Sequence, residues 1–218
     1  LYYIDYFVKI MNQKNSLGLN SCFLDLNDPI ELFKIWIEEA KASEPNDPNA
    51  LSLATADKNS IPSVRMVLLK NFSKEGFVFY TNLESQKGIE LKKNPNAAMC
   101  FHWKSLLRQI RISGKLSKVE DKVADKYYDS RSYDSRIGAW ASKQSTILKK
   151  RQDLHSSIEE YKKKYRNKDK VPRPAHWSGW NLLPSNIEFW LDGESRIHER
   201  LKYVKDENGN WNKFLLSP

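Results

Sequence analysis

The chain has 218 residues, 40% of them hydrophobic and 12% aromatic, which suits one large domain or a domain with an appendage and excludes a disordered composition. Its formal net charge is +9, from 36 Lys+Arg against 27 Asp+Glu, and such a basic balance raises polyanion binding as a first possibility. No apolar run approaches the roughly 20 residues of a membrane span, so no membrane partner is expected. Cys22 and Cys100 are too few and too far apart for a disulfide framework or a CxxC metal site, and they read as reduced thiols of a cytoplasmic protein.

In chain order, residues 1–9 are apolar and aromatic, but Asp5 interrupts them. No basic segment precedes them and no small-residue cleavage site follows, so no signal peptide is expected. Asp28-Pro29, followed by Ile30, Leu32, Phe33, Ile35, Trp36 and Ala40, predicts an amphipathic helix with Asp28 as its cap and Pro29 in its first turn. Strand-like runs follow at 50–56, 63–70, 76–81, 97–103 and 107–116, separated by Asp57-Lys58-Asn59-Ser60, by Asn71 to Gly76 and by Asn94-Pro95-Asn96. A helix fits 85–93. Strands at this spacing, mostly joined by short loops, predict an antiparallel barrel.

Helices are expected at 120–130 and 142–166, then a polar, proline-bearing linker over 168–174. Strands are expected at 187–191, 196–204 and 211–216, with Asn208-Gly209 turning a hairpin between the last two. Between Ser142 and Lys170 there are ten Lys/Arg against four Asp/Glu. Leu154, Ile158, Tyr161 and Tyr165 recur there at helical spacing, which leaves the lysines on the other faces. A solvated basic face accounts for this better than a nucleic-acid groove, which would interleave its aromatics with the charge.

Nucleotide-loop, zincin and hydrolase-elbow motifs are absent, and four His with two Cys make a metal site improbable. The remaining chemistry lies in four polar groups. In Arg65-Met66-Val67-Leu68-Leu69-Lys70 the two cations fall on opposite faces of a regular strand, so they either reach water or serve two different anions. Tyr80-Thr81-Asn82 and Ser85-Gln86-Lys87 place hydroxyls, a lysine and free N–H groups at a helix start, which is either an ordinary cap or an anion cradle. Tyr127, Arg131 and Ser135 would share a face of a continuous helix, either as a solvated stripe or as a phosphate clasp. Arg196, His198 and Arg200 point one way on a regular strand, either as a surface strand paired with glutamates such as Glu194 and Glu199 or as mutually repelling groups balanced by an anionic or electron-rich ligand. Trp190, just upstream, could stack on a flat ring or simply fill core. His102, His155 and His176 have no such company and read as structural.

Taken together, the segments RMVLLK at 65–70, VFYTN at 78–82, Arg108-Gln109, DSRIGAWASKQS at 134–145 and IEFW at 187–190 leading to RIHER at 196–200 resemble the pyridoxamine/pyridoxine 5′-phosphate oxidase family. The resemblance runs from about residue 28 to the last residue, and the motifs are specific in combination. It implies a mainly β fold with flanking helices (α+β), an antiparallel split β-barrel that binds flavin mononucleotide (FMN) at a homodimer interface. In that frame residues 1–27 form an N-terminal segment and candidate lid, 28–170 the FMN-binding barrel with its helices, and 171–218 the strands completing barrel and dimer interface.

By the family pattern FMN would touch Arg65, Met66, Val67, Leu68, Leu69, Lys70, Tyr80, Thr81, Lys87, Gln109, Gln144, Ser145, Trp190 and Arg200. The substrate phosphate would be held by Lys70, Tyr127, Arg131 and Ser135. Arg196, Ile197 and His198 would cover the substrate ring, with Arg196 and His198 the candidate catalytic residues. The implied activity is oxidation of pyridoxamine 5′-phosphate or pyridoxine 5′-phosphate to pyridoxal 5′-phosphate, with O2 reduced to H2O2. No metal and no nucleic-acid partner is implied. The sequence departs from the family at Gln86 and Ser132, where Arg and Pro are usual, and residues 12–23 have lost most of the basic character of that region in relatives. The alternatives are a flavin-binding split barrel with another substrate or a storage role, and a basic nucleic-acid-binding module.

Overall fold

The computed structural model describes residues 17–166 and 170–218. The expectations for 1–9, for most of the candidate lid and for part of the 168–174 linker lie outside the described residues. Helix α1 (Pro29–Ser43) starts as predicted, with the Asp28 carboxylate accepting from the Ile30 N–H at 2.9 Å and Pro29 in the first turn. Its apolar stripe, Ile30, Leu32, Phe33, Trp36, Ile37 and Ala40, is buried against the sheet. Phe33 meets Phe72, Phe77 and Phe101 edge-on at 4.8, 4.9 and 5.3 Å, and Trp36 meets Phe189 at 5.1 Å. Each such side chain contributes about 1.5–3 kcal/mol by leaving water, so this helix anchors the core.

The sheet is antiparallel throughout and curls around that core. Its strands are β1 (Ala50–Ala56), β2 (Pro62–Leu68), β3 (Asn71–Ser73), β4 (Gly76–Asn82), β5 (Asn96–Trp103), β6 (Arg108–Lys118), β7 (Trp177–Leu191), β8 (Glu199–Lys205) and β9 (Trp211–Leu215). The order is β2-β1-β5-β6-β7-β4-β3, with β8 joined to β7 and β9 to β8. The long strand β7 pairs with β4 over its first half and with β8 over its second. A register shift opposite Ser113/Gly114 bends the β6–β7 ladder, and a Cβ at Gly114 would lie 2.1 Å from the Leu183 carbonyl, which explains the glycine. Flanking helices are α2 (Gln86–Lys93), α3 (Asp121–Asp129), α4 (Tyr133–Ala141) and α5 (Arg151–Lys164). The fold is the split barrel with flanking helices that the resemblance implied.

Several local expectations are corrected. Asn71 to Gly76, expected as a turn, contains β3. The strand expected at 187–191 begins ten residues earlier, because Trp177 to Leu182 pair with β4. The basic helix expected over 142–166 starts only at Arg151. Ser145 has φ +69°, outside helical space, and the Asp153 carboxylate accepts from the Lys150 N–H at the true helix start. The helix expected at 120–130 spans Asp121–Asp129 and does not continue beneath Arg131 and Ser135, because serine hydroxyls there compete for the backbone. Ser130 Oγ donates to the Tyr127 carbonyl and Ser132 Oγ caps α4.

The strand expected at 196–204 begins at Glu199. Residues Glu194–Arg196 form a 3-10 turn, with Ser195 and Arg196 both left-handed at φ 55° and 66°. Arg196, His198 and Arg200 therefore do not share a regular strand face. Gly209, at φ +84°, turns the β8–β9 hairpin as predicted. No described helix is long and apolar enough to cross a membrane, and no group of three or more metal-ligating side chains occurs among the described residues. Cys22 and Cys100 are free thiols, and burial pushes Cys22 up to about 11.

Candidate active site

A cavity of about 970 Å³ opens between β2, β4, the α2 start and the α3–α4 corner. It brings together Arg65, Met66, Val67, Leu68, Lys70, Tyr80, Thr81, Lys87, Tyr127, Arg131, Ser135, Gln144 and Ser145 from the sequence-predicted set. Because β2 ends at Leu68, the chain turns before Lys70, and Arg65 and Lys70 line one cavity despite their opposite parity in sequence. Leu69 is the exception in this segment. Its side chain is buried in the core, and its N–H donates to the Asn49 carbonyl.

At the cavity floor Ser85 caps α2, and Lys87, in the first turn, is only 7% exposed. The Lys87 ammonium donates to Thr81 Oγ1 at 3.2 Å, Ser85 Oγ at 3.2 Å and Gln144 Oε1 at 3.0 Å. None of these is a carboxylate. Burial, with the nearby Arg65 charge adding to it, holds the Lys87 pKa below the ordinary lysine value. A buried cation whose partners are all neutral is stabilised by an anion, so this donor set suits a phosphate.

Arg65 is placed differently. Its Nη2 lies 3.4 Å from Glu90 Oε2, and it also donates to the hydroxyls of Thr55 and Ser63. Burial by itself would raise the Glu90 pKa. Hydrogen bonds from Thr55, Ser63 and Gln86, together with the Arg65 charge, outweigh it and hold the carboxyl below its usual range.

The opposite wall is aromatic. Tyr80, Tyr127 and Trp177 stack nearly parallel, with centroids 3.9 Å apart for Tyr80–Tyr127 and 5.2 Å for Tyr80–Trp177. The Arg131 guanidinium lies over Trp177 at 4.8 Å and Tyr128 at 5.7 Å. Its Nη1 is buried with no hydrogen-bond partner among the described residues, and burial lowers its pKa. The ring stack holds a planar cation facing the cavity with unused donor capacity.

Six further predicted residues stand elsewhere. Gln109 and Trp190 are register partners on β6 and β7, and Trp190 pairs with Arg200 on β8. Arg200 donates through Nε to Glu188 at 2.9 Å and through Nη1 to the Ser217 carbonyl at 2.8 Å. The His198 ring lies 4.6 Å from Trp190, and its Nδ1 is 3.0 Å from Asp192 Oδ1. Arg196 sits in the left-handed turn, and Ile197 beside it is 70% exposed. None of these six residues lines the cavity. His176 Nε2 donates to the Ala139 carbonyl, 2.9 Å away, while His102 and His155 lie on the surface.

Sequence reasoning missed Thr55, Ser63, Glu90 and Trp177. Only the Gln86–Glu90 spacing of four was a local signal, and it does not reveal that Glu90 reaches across to β1 and β2.

Residues 37–165 match the family model described as pyridoxamine 5′-phosphate oxidase, more than half of the chain. This chain belongs to the pyridoxamine 5′-phosphate oxidase family. Residues 177–218 match the model of the pyridoxine 5′-phosphate oxidase C-terminal dimerisation region. A pyridoxine/pyridoxamine 5′-phosphate oxidase of Pelagibacter ubique (strain HTCC1062) is 73% identical over 95% of this chain and 100% of its own length. One of Allorhizobium ampelinum is 53% identical over 90% of this chain and 95% of its own.

Among solved structures, PhzG from Burkholderia lata 383, in complex with tetrahydrophenazine-1-carboxylic acid, superposes with TM-score 0.85 at 30% identity, over 94% of this chain and 100% of that one. A pyridoxamine 5′-phosphate oxidase-related, FMN binding protein from Nostoc punctiforme PCC 73102 shares the fold, with TM-score 0.69 at 16% identity over 88% of this chain and 98% of that one. Within the family, the six residues outside the cavity include Trp190, Ile197, His198 and Arg200, all inside the stretch that matches the dimerisation region.

Proposed function

We propose that this chain is an FMN-dependent oxidase that converts pyridoxamine 5′-phosphate or pyridoxine 5′-phosphate to pyridoxal 5′-phosphate, and that it works as a homodimer. The observation carrying this reading is a pair of cations in one cavity, Lys87 buried and Arg131 half-buried. Lys87 has only neutral partners, and Arg131 has an unpaired Nη1 beside an aromatic stack. Two phosphates and planar rings between them satisfy both. Family membership and the names of the relatives at 73% and 53% identity support the same reading.

When bound, FMN would supply the redox chemistry, oxidation of the substrate at C4′ with O2 as the final acceptor and H2O2 as product. Lys87, Thr81, Gln144 and Ser145, with Arg65 beside them, hold the FMN phosphate. The 65–70 segment lies along the cofactor. Lys70, Tyr127, Arg131 and Ser135 hold the substrate phosphate, which brings C4′ into place and removes much of the entropic part of the reaction barrier.

Gln109, Trp190, Arg196, Ile197, His198 and Arg200 complete the site from a second copy of the chain. Arg196 steadies charge developing on the substrate ring. The second copy is supported by the outward side of edge strand β2, where Val64, Met66 and Leu68 are 68, 63 and 37% exposed, and by the match of 177–218 to a dimerisation region.

The test is purification followed by assay. The protein is expected to be yellow with an FMN spectrum, and to form pyridoxal 5′-phosphate from both substrates with one H2O2 each. A colourless protein that stays inert with added FMN refutes the reading. A flavin-loaded protein that turns over neither substrate makes it a split barrel with another substrate.

A further inference from the structure

We propose that Glu90, which does not line the cavity, is a positioning residue that sets the direction of the Arg65 guanidinium and thereby the phosphate affinity of the cavity floor. The inference rests on the reading of that floor as a phosphate site. It is carried by a closed network of described side chains spanning α2, β1 and β2. The Glu90 carboxylate is 6% exposed and accepts from four sources. These are Thr55 Oγ1, Ser63 Oγ at 2.8–2.9 Å, Gln86 Nε2 at 3.0 Å and Arg65 Nη2 at 3.4 Å.

Donor and acceptor chemistry fixes how this network is oriented. A guanidinium only donates, so Thr55 Oγ1 and Ser63 Oγ, which both touch Arg65, must accept from it. Each hydroxyl then has one hydrogen left, and each directs it to the Glu90 carboxylate. Without an acceptor at position 90 the two hydroxyls could turn, and Arg65 would lose both a direct partner and two relayed ones. A carboxylate beside an anion site opposes anion binding by its charge alone. Its presence at this depth is accounted for by what it does to Arg65.

Gln86 fits the same account. It stands one turn before Glu90 on α2, and its amide donates to Glu90 Oε1 at 3.0 Å. At position 86 a neutral amide therefore donates to Glu90, and Arg65 is the cation bonded to it.

The experiment compares FMN with riboflavin, which lacks the phosphate, by fluorescence titration of flavin-stripped protein. The variants are E90A, E90Q, R65A and R65A/E90A. E90A is expected to weaken FMN at least tenfold while leaving riboflavin within threefold. E90Q, which keeps one acceptor oxygen, is expected to restore most of the loss and serves alone if E90A does not fold. R65A/E90A is expected to bind FMN no more weakly than R65A, because Glu90 acts through Arg65. Equal weakening of FMN and riboflavin, additive losses in the double variant, or a lowered melting temperature with unchanged FMN affinity would each overturn the proposal and leave Glu90 a structural cross-link. Failure of the unsubstituted protein to prefer FMN over riboflavin would sink the phosphate-site reading itself.

Discussion

Replacing Arg131 by Ala separates a ligand-holding arginine from a structural one, because the structure assigns opposite signs to its contributions in the free protein. The guanidinium gains from Trp177 and Tyr128, at 4.8 and 5.7 Å, a cation–π contribution of about 0.5–2 kcal/mol. Against this, Nη1 is buried without a partner, which costs about 1–3 kcal/mol. The two nearly cancel, so the substrate-free variant should melt within about 2–4 °C of the parent, the shift that ~1 kcal/mol produces in a chain of this size.

With substrate present the balance changes. Losing one charge-assisted phosphate contact removes about 1.5–3 kcal/mol, or roughly 10- to 150-fold in kcat/KM. Since the phosphate is held alike in ground and transition states, the loss should appear mainly in KM. The assay is steady-state kinetics with pyridoxamine 5′-phosphate beside a thermal melt. Unchanged KM with a melting point lowered by 8 °C or more would refute the reasoning and make Arg131 a packing residue of the aromatic stack.

Lys87→Met should abolish most FMN binding while stabilising the flavin-free protein, which titration and thermal melts can read together. The pH dependence follows from the lowered Lys87 pKa. Between that lowered value and 10.5 the unfolded chain holds more protons than the fold, so the flavin-free protein should grow more stable as pH rises through this window, and Lys87→Met should flatten the rise. FMN affinity should fall over the same window, because the phosphate needs the charged lysine. Arg196→Ala should lower kcat and slow flavin reduction in single-turnover stopped flow without releasing FMN; a pure KM effect would demote Arg196 to binding. If each site combines Arg131 of one copy with Arg196 of the other, mixing and refolding the two impaired variants, assayed at substrate well below the Arg131→Ala KM, should restore about a quarter of full activity, as expected for random two-fold dimers. No recovery would place both residues in one subunit's site.

Much of this protein was legible in one dimension. The α1 stripe, the alternation in β1 and the Asn208-Gly209 hairpin are local patterns of period 3.6, period 2 and turn chemistry, and local patterns survive in sequence. The cavity group at 65–70, 80–81 and 87 was also legible, because strand ends and a capped helix start mark where cations and N–H groups collect. The extent of β7 was not, because Trp177 to Leu182 are held by pairing with β4, about a hundred residues away in the chain. Nor were the break at Ser130 and Ser132 or the left-handed Ser195 and Arg196, where side-chain hydrogen bonds and tight turning override an otherwise plausible periodicity.

Only the tertiary structure decided which charges are compensated. Arg65 and Lys87 look alike in sequence, yet Arg65 is matched by Glu90, 25 residues on, while Lys87 meets only the amide oxygen of Gln144 and two hydroxyls. Charge compensation depends on distances between segments remote in the chain. It is what sets the Lys87 ammonium, with neutral partners alone, apart from the paired Arg65 guanidinium of the same cavity.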